Sequence, residues 1–328
     1  ALESPAILFP VKDALRYVEK RSRIGSRGAT FYTADNPPFG AVFTYYLKEG
    51  FKTLEDARLE AEKKARNANE EPKIPTYDEL RAEEEQIKPK VFFTVRNSNG
   101  EVVRRIDGST KKGLHRVNWD LRYPSARPTS IKGDEFRPPW ARDPIGPLAL
   151  PGTYTVTMSS TVDGVTTNLA EPQTFEVDEL GINTFAAQDL SETQAFQQKV
   201  WELERAVRGA LKWAGEAESR LAHTRKALYD TPSADTALLA DSLRLQTELD
   251  DILVMLRGDE TKENRNVFIP PSVYERVTRI VGSQWDTTSA PTQTSRDAYD
   301  WAADAFATEL GRLNSFASGL EAFESQLE

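Results

Sequence analysis

The apolar residues of this chain change their period once, near residue 183, and that change governs everything the chain can fold into. Before it, short runs alternate with period two and are broken by most of the prolines. After it, apolar residues step by threes and fours through stretches longer than any strand, which is a helical signature. One layer cannot bury both patterns, so two cores are expected. A length of 328 residues suffices for two domains of about 150 residues each. The boundary is placed at Gly181 to Gln188, where the texture shifts.

In the first half, Lys90-Val-Phe-Phe-Thr-Val-Arg96 puts Val91, Phe93 and Val95 on one face and Thr94 and Arg96 on the other. Asn97-Ser-Asn-Gly100 follows, and Asn-Gly is a strong hairpin signal because both residues accept positive φ. Glu101 to Ile106 is the return strand. Gly113 to Leu121 is another, with Val117, Trp119 and Leu121 sharing a parity. Pro151-Gly152 turns into Thr153 to Met158, with Tyr154, Val156 and Met158 inward and threonines outward. Asp163-Gly164 turns again, Thr174 to Val177 closes the set, and Gly40 to Leu47 supplies an earlier strand. Short strands at this spacing predict an immunoglobulin-like antiparallel β-sandwich over 40–183. Thr53 with Asp56, and Thr76 with Glu79, have capping-box spacing, so a helical insertion is expected at about 52–87. The stretch Leu54 to Asn69 is rich in Glu, Lys, Arg and Ala, and reads as a solvated excursion or a docking surface for a partner. Arg127 to Pro151, which contains Trp140, has no period and reads as an ordered excursion sealing one sandwich edge, with ligand contact as the alternative.

In the second half, Phe196, Val200, Leu203, Val207, Ala210, Ala214, Ala217, Leu221, Thr224 and Leu228 form a heptad seam opened by Ser191-Glu-Thr-Gln194. A helix of about 38 residues is roughly 57 Å long. Asp230-Thr-Pro-Ser233 stops it. Leu238, Leu245, Leu249, Ile252 and Leu256 make the return stripe, capped by Gly258. Pro270-Pro271-Ser272 with Glu275 starts a short helix. Thr294 with Asp297 starts the last long one, striped by Tyr299, Ala302, Phe306, Leu310, Leu313, Ala317, Leu320 and Phe323. Three long helices predict an antiparallel three-helix bundle over 184–328. The full expectation is therefore a multidomain α+β chain with residues 1–39 as an N-terminal linker or extended segment.

The absence of cysteine excludes disulfides, thiol nucleophiles and thiolate metal sites, and only His115 and His223 can supply imidazole chemistry. His115 shares parity with Val117 and Trp119 and is expected at the core or its fringe, while His223 sits on a charged helix. Neither has a serine or carboxylate at triad spacing. Glu83-Glu84-Glu85 and Asp250-Asp251 read as solvated helix faces, and no phosphate loop, His-Glu-x-x-His or calcium loop occurs. No catalytic, cofactor-binding or metal-binding residue is assigned, and no cofactor is expected. A net charge of −9 argues against nucleic acid and anionic membranes as partners, and no apolar run reaches the ~18 residues of a membrane span.

Ala34-Asp-Asn-Pro-Pro-Phe-Gly-Ala-Val-Phe-Thr-Tyr-Tyr-Leu47, Gly100-Glu-Val-Val-Arg-Arg-Ile106, Gly113-Leu-His-Arg-Val-Asn-Trp-Asp-Leu-Arg122 and Gly146-Pro-Leu-Ala-Leu-Pro-Gly-Thr-Tyr-Thr-Val156 resemble a bacterial family. It is the C-terminal region of large exported proteins that carry a sortilin-like (Vps10-type, BNR-repeat) β-propeller. The middle segment is also similar to the Ig-like domain of flagellar hook-capping proteins. Pro270-Pro-Ser-Val-Tyr-Glu-Arg-Val277 and Trp285-Asp-Thr-Thr-Ser-Ala-Pro-Thr-Gln-Thr294 look like that family's helical tail. The family's Asp-box repeats (Ser-x-Asp-x-Gly-x-Thr-Trp) belong to the propeller and do not occur here, so no catalytic residue carries over. Leu8-Phe-Pro-Val-Lys12 looks like the strand leaving a propeller, and Ala1-Leu-Glu-Ser-Pro-Ala reads as an internal junction.

The resemblance implies an extracytoplasmic location (periplasmic, cell-surface or secreted) and a non-catalytic interaction or structural module. Its expected partner is a protein, either the propeller of its own parent or another envelope protein. The alternative is an accessory substrate-binding region of a glycoside hydrolase or peptidase.

Overall fold

The computed structural model describes residues 3–19, 30, 32, 34, 36–131, 136, 138, 143–181 and 189–327. The chain divides into two compact units. One comprises Ala1–Pro124 with Leu148–Asn183, the other Ser125–Pro147 with Thr184–Glu328.

The first unit is sandwich-like. A three-stranded sheet has the order β1 (Ala6–Leu8), β3 (Ala41–Leu47), β6 (Gly113–Trp119). A larger sheet has the order β2 (Ala14–Arg16), β9 (Gln173–Glu179), β7 (Gly152–Val162), β4 (Lys90–Asn97), β5 (Val102–Gly108), and β8 (Val165–Asn168) also pairs with β7. β7 shares one edge between β9, along 152–156, and β8, along 159–162. The alternation read from the sequence sets the core. Val91, Phe93, Val95, Val156 and Met158 are fully buried, and Phe43 and Tyr45 of the smaller sheet meet Phe93 of the larger one at 5.9 and 4.9 Å between ring centroids.

Three expectations need correction here. The segment expected as a linker contributes an edge strand to each sheet, and Ala6, Leu8 and Ala14 are buried in the sandwich core. β2 joins β9 in parallel, so the larger sheet is mixed rather than antiparallel. Arg16 fixes that pairing: its Nε donates to Ala149 O at 2.8 Å and its Nη1 to Glu179 Oε1 at 3.1 Å. Strand β6 stops at Trp119 instead of Leu121, because Leu121 adopts φ 54° while its side chain stays fully buried. A bulky residue seldom takes this left-handed conformation. Asp120 Oδ1 holds the turn by accepting from Arg122 N at 3.1 Å.

The helical insertion forms as expected, as α1 (Leu54–Asn67) and α2 (Tyr77–Glu85). Both capping boxes, Thr53 with Asp56 and Thr76 with Glu79, are present.

The second unit is built on α3 (Leu190–Asp230), α4 (Thr236–Arg257), the one-turn α5 (Glu260–Glu263), α6 (Val273–Gln284) and α7 (Gln293–Glu324). α3 and α7 run parallel. Arg296 of α7 pairs with Glu192 of α3, and Arg220 of α3 with Glu324 of α7, each across 104 residues of sequence. α4 runs against α3, with Arg225 bonded to Gln246 and Arg257 to Glu218. α6 does the same further along, where Gln197 bonds to Gln284 and Arg208 to Tyr274. The descending layer of the bundle is thus two helices, α4 then α6, interrupted between Gly258 and Ser272. Gly258, at φ 105°, caps α4 as expected.

The stripe on α3 is buried from Phe196 to Leu221, with alanines at 210, 214 and 217. On α7 the buried stripe is Ala302, Phe306, Glu309, Leu313, Phe316, Leu320 and Phe323, not the Leu310 and Ala317 line read from the sequence. Leu310 is exposed, and the seam passes instead through Glu309, whose carboxylate accepts from Arg312 Nη1 at 2.8 Å. Helix starts also differ from expectation: Asp189 caps α3 and Thr292 caps α7. Ser272 and Glu275 form the expected box on α6. The stretch read as sealing a sandwich edge divides: Leu148 and Ala149 are buried in the sandwich core, while the described residues before them group with the helices. Thr129 O accepts from Lys212 Nζ at 2.7 Å, and Ile145 packs on Phe196, Val200, Ile280 and Trp285. Trp140 lies outside the described residues.

Candidate functional site

Each histidine ring lies against a backbone carbonyl of its own neighbourhood. His115 is half-buried at the core's fringe, its ring 5.3 Å from that of Tyr45 and its Nε2 2.6 Å from Lys111 O. His223 is exposed on α3, with Nδ1 2.7 Å from Ser219 O. They belong to different units. Among the described residues, no group of three or more His, Asp or Glu side chains is placed to hold a metal ion. Glu84, Glu85, Asp250 and Asp251 are exposed on helix faces, as expected, but Glu83, read as part of the same solvated run, is half-buried against Arg58.

Two features of the first unit stand apart from its core. The first is the hairpin of α1 and α2, in which no side chain is buried. Its helices are held by charge. The Arg58 guanidinium forks onto Glu83, with Nε–Oε1 at 2.7 Å and Nη2–Oε2 at 3.0 Å, and Nη1 reaches Glu62 Oε1 at 2.6 Å. Those hydrogen bonds push the guanidinium pKa further up. Gln86 Oε1 accepts from Leu54 N at 2.7 Å and closes the base. Between the helices lies a cleft of about 470 Å³ floored by Ala61, Ala65, Pro75 and Ala82. Ile74 and Tyr77 are more than four-fifths exposed beside it. Sequence reasoning located this hairpin through its caps, but the clamping role of Arg58 requires two helices to be placed side by side.

The second feature is a groove of about 560 Å³ across the outer face of the larger sheet. Its floor comes from outward positions of three neighbouring strands: Thr94 on β4, Thr157, Ser159 and Thr161 on β7, and Thr166 and Asn168 on β8. Lys88, Lys90, Arg96 and Arg105 surround it, with Asp107 as the one carboxylate in its lining. Thr94 and Ser159 are buried, which is unusual for the outer face of a sheet. The sequence shows the outward threonines. It does not show that the face is concave, because that depends on Arg105 leaning from β5 over the Phe92 ring at 4.7 Å.

Ser159 is not set up as an activated nucleophile. The Ser159 hydroxyl donates to the amide oxygen of Asn168 at 2.9 Å, and an amide cannot take up a proton as a general base. Thr161 and Thr166 share a hydrogen bond at 2.9 Å. Comparison of the chain with protein-family models, curated proteins and solved structures returned no significant match.

Proposed function

We propose that this chain is a non-catalytic interaction and structural module of an exported bacterial protein with a sortilin-like β-propeller. Its first unit is an Ig-like sandwich, and it makes protein–protein contacts outside the cytoplasm, in the cell envelope. The observation that carries the reading is the α1–α2 hairpin. Its 14- and 9-residue helices contribute no buried side chain to the sandwich, yet caps and the Arg58 clamp hold them in a defined shape. A shape kept without serving the core is what a docking element needs, and Ile74 and Tyr77 give it apolar anchors. The resemblance carried by residues 34–47, 100–106, 113–122 and 146–156 implies a protein partner, the propeller of the same parent or another envelope protein, and the first is taken for the test. The isolation of both histidines supports a non-catalytic role.

The test is titration calorimetry of the chain against the propeller encoded beside it, with and without residues 54–85 replaced by a Gly-Ser bridge. The reading expects the shortened chain to keep its circular dichroism, less the helices removed, and to lose binding. Unchanged binding overturns it. So does turnover of sialosides, common glycans or casein by the purified chain that disappears when one carboxylate is changed.

A further inference from the structure

We infer that the groove across β4, β7 and β8 is a binding site for an acidic oligosaccharide, a ligand class separate from the protein partner of the hairpin. Charge is the first reason. In a chain of net charge −9, four basic side chains and a single carboxylate line this groove. One of the cations is held by the fold: Arg96 donates through Nη1 to Gly100 O at 2.8 Å, along the 97–100 turn, while Lys90 Nζ stands 3.9 Å from Asp107 Oδ2 with both side chains largely exposed.

The floor is the second reason. Short β-branched hydroxyl side chains are stiff, so they offer donors and acceptors at little entropic cost. Thr94 is only 6% exposed as a residue, yet it lines the groove and its hydroxyl oxygen opens to it rather than being sealed in the sheet. A hydroxyl in that position is available to water or to a ligand.

The backbone argues against an acidic peptide. Peptides that join sheets use free backbone N–H and C=O groups along an edge. Here the groove lies across the face of strands paired to one another, β5 to β4, β4 to β7 and β7 to β8, and not along the outer edges of β5 and β8, the unpaired ones. Recognition is therefore left to side chains. Nor does the groove suit a single-stranded nucleic acid, which stacks bases on open aromatic faces. Its one aromatic ring, Phe92, is 8% exposed and is covered by the Arg105 guanidinium. Hydroxyls below and cations at the rim match a ligand with many hydroxyls and a few carboxylates. The volume falls in the usual range of ligand sites, about 300–1,000 Å³.

The test titrates the whole chain with a short oligogalacturonate, followed by amide chemical shifts and calorimetry. The comparison probes are a neutral cello-oligosaccharide, poly-glutamate of similar length and inorganic phosphate. Expected are shifts confined to β4, β5, β7 and β8, and binding that weakens as salt rises. Lys90→Gln and Thr94→Val should each weaken binding about tenfold while the remaining amide spectrum stays native, the effect of one lost hydrogen bond to a charged or buried group. No shift in the groove with oligogalacturonate overturns the inference. Equal binding of poly-glutamate reassigns the groove to acidic peptides. Equal binding of phosphate reduces it to a general anion site, and equal binding of the neutral sugar removes the role of charge. Each of these outcomes also overturns it, and none bears on the hairpin.

Discussion

Replacing Trp119 tests the sandwich core at its largest fully buried side chain. The indole sits 5.1 Å from the Tyr154 ring and 6.2 Å from that of Phe175, and its Nε1 donates to Arg122 O at 3.0 Å. Trp119→Ala leaves a cavity in a region of strand and turn backbone that has little freedom to collapse, so the expected loss is about 5 kcal/mol, the upper end of the range for such truncations. The two aromatic contacts, each worth about 0.5–1.5 kcal/mol beyond burial, place it at that end. Trp119→Phe keeps most of the packing but removes the Nε1 donor, and about 2 kcal/mol is expected. A single global melt would mix two units, so the readout is peptide-resolved hydrogen exchange. Protection should fall in Lys90–Asn97 and Gly152–Val162 and remain in Leu190–Asp230. A loss below about 1 kcal/mol for Trp119→Ala, or an equal loss in α3, refutes the reasoning.

Gly40→Ala should be as damaging despite adding one carbon. The new Cβ would lie 2.0 Å from Trp119 O and 3.2 Å from Asp120 Cα, and Gly40 has φ 103°. Backbone on the other side cannot move aside, so a loss of about 3 kcal/mol or more is expected, and wild-type hydrogen-exchange protection in Ala41–Leu47 and Gly113–Trp119 would contradict it. Acid should loosen α2 before the cores. Glu79 is held down to about 2, first by Lys73 and then by the Thr76 backbone N–H. Its contribution is complete above its unfolded value, about 4.3, and disappears as pH falls through its folded one. Amide exchange in residues 77–80 should rise between those limits, and exchange that stays flat across them would refute the cap's role.

The strands that were legible are those long enough to show a period. β3, β4, β7 and the stripe on α3 repeat their pattern often enough for burial to follow from parity. β1 and β2 have three residues each, too few to alternate, and β8 is four exposed residues without an apolar face. They are held by register with neighbours, a long-range property. The α7 seam was misread because a glutamate occupies one of its inward positions. Glu309 is 5% exposed and is tolerated only because Arg312 reaches it one turn later. The caps Thr53, Thr76 and Ser272 were found because a carboxylate completes each box, whereas the glutamate at that spacing from Asp189, Glu192, pairs with Arg296 instead, and Thr292 has Ser295 there. As for the groove, its hydroxyls could be read from alternation, but its concavity arises from side chains on different strands.

The constant offset between α3 and α7 has a consequence for the order of assembly. α3 can meet α4 as soon as the five residues 231–235 have turned, but its contacts with α7 close a loop of 104 residues. Local closure comes first and long closure last. A nascent chain therefore carries a 41-residue helix whose C-terminal half is covered early by α4. Phe196 and Val200, near its other end, wait for Ile280 and Trp285 and for the ring of Tyr299. Until residues 273–299 are in place, Ile145 alone of this cluster's partners from outside α3 can cover that end of the helix. A chain that stalled or was cut in the Gly258–Ser272 break would aggregate through it.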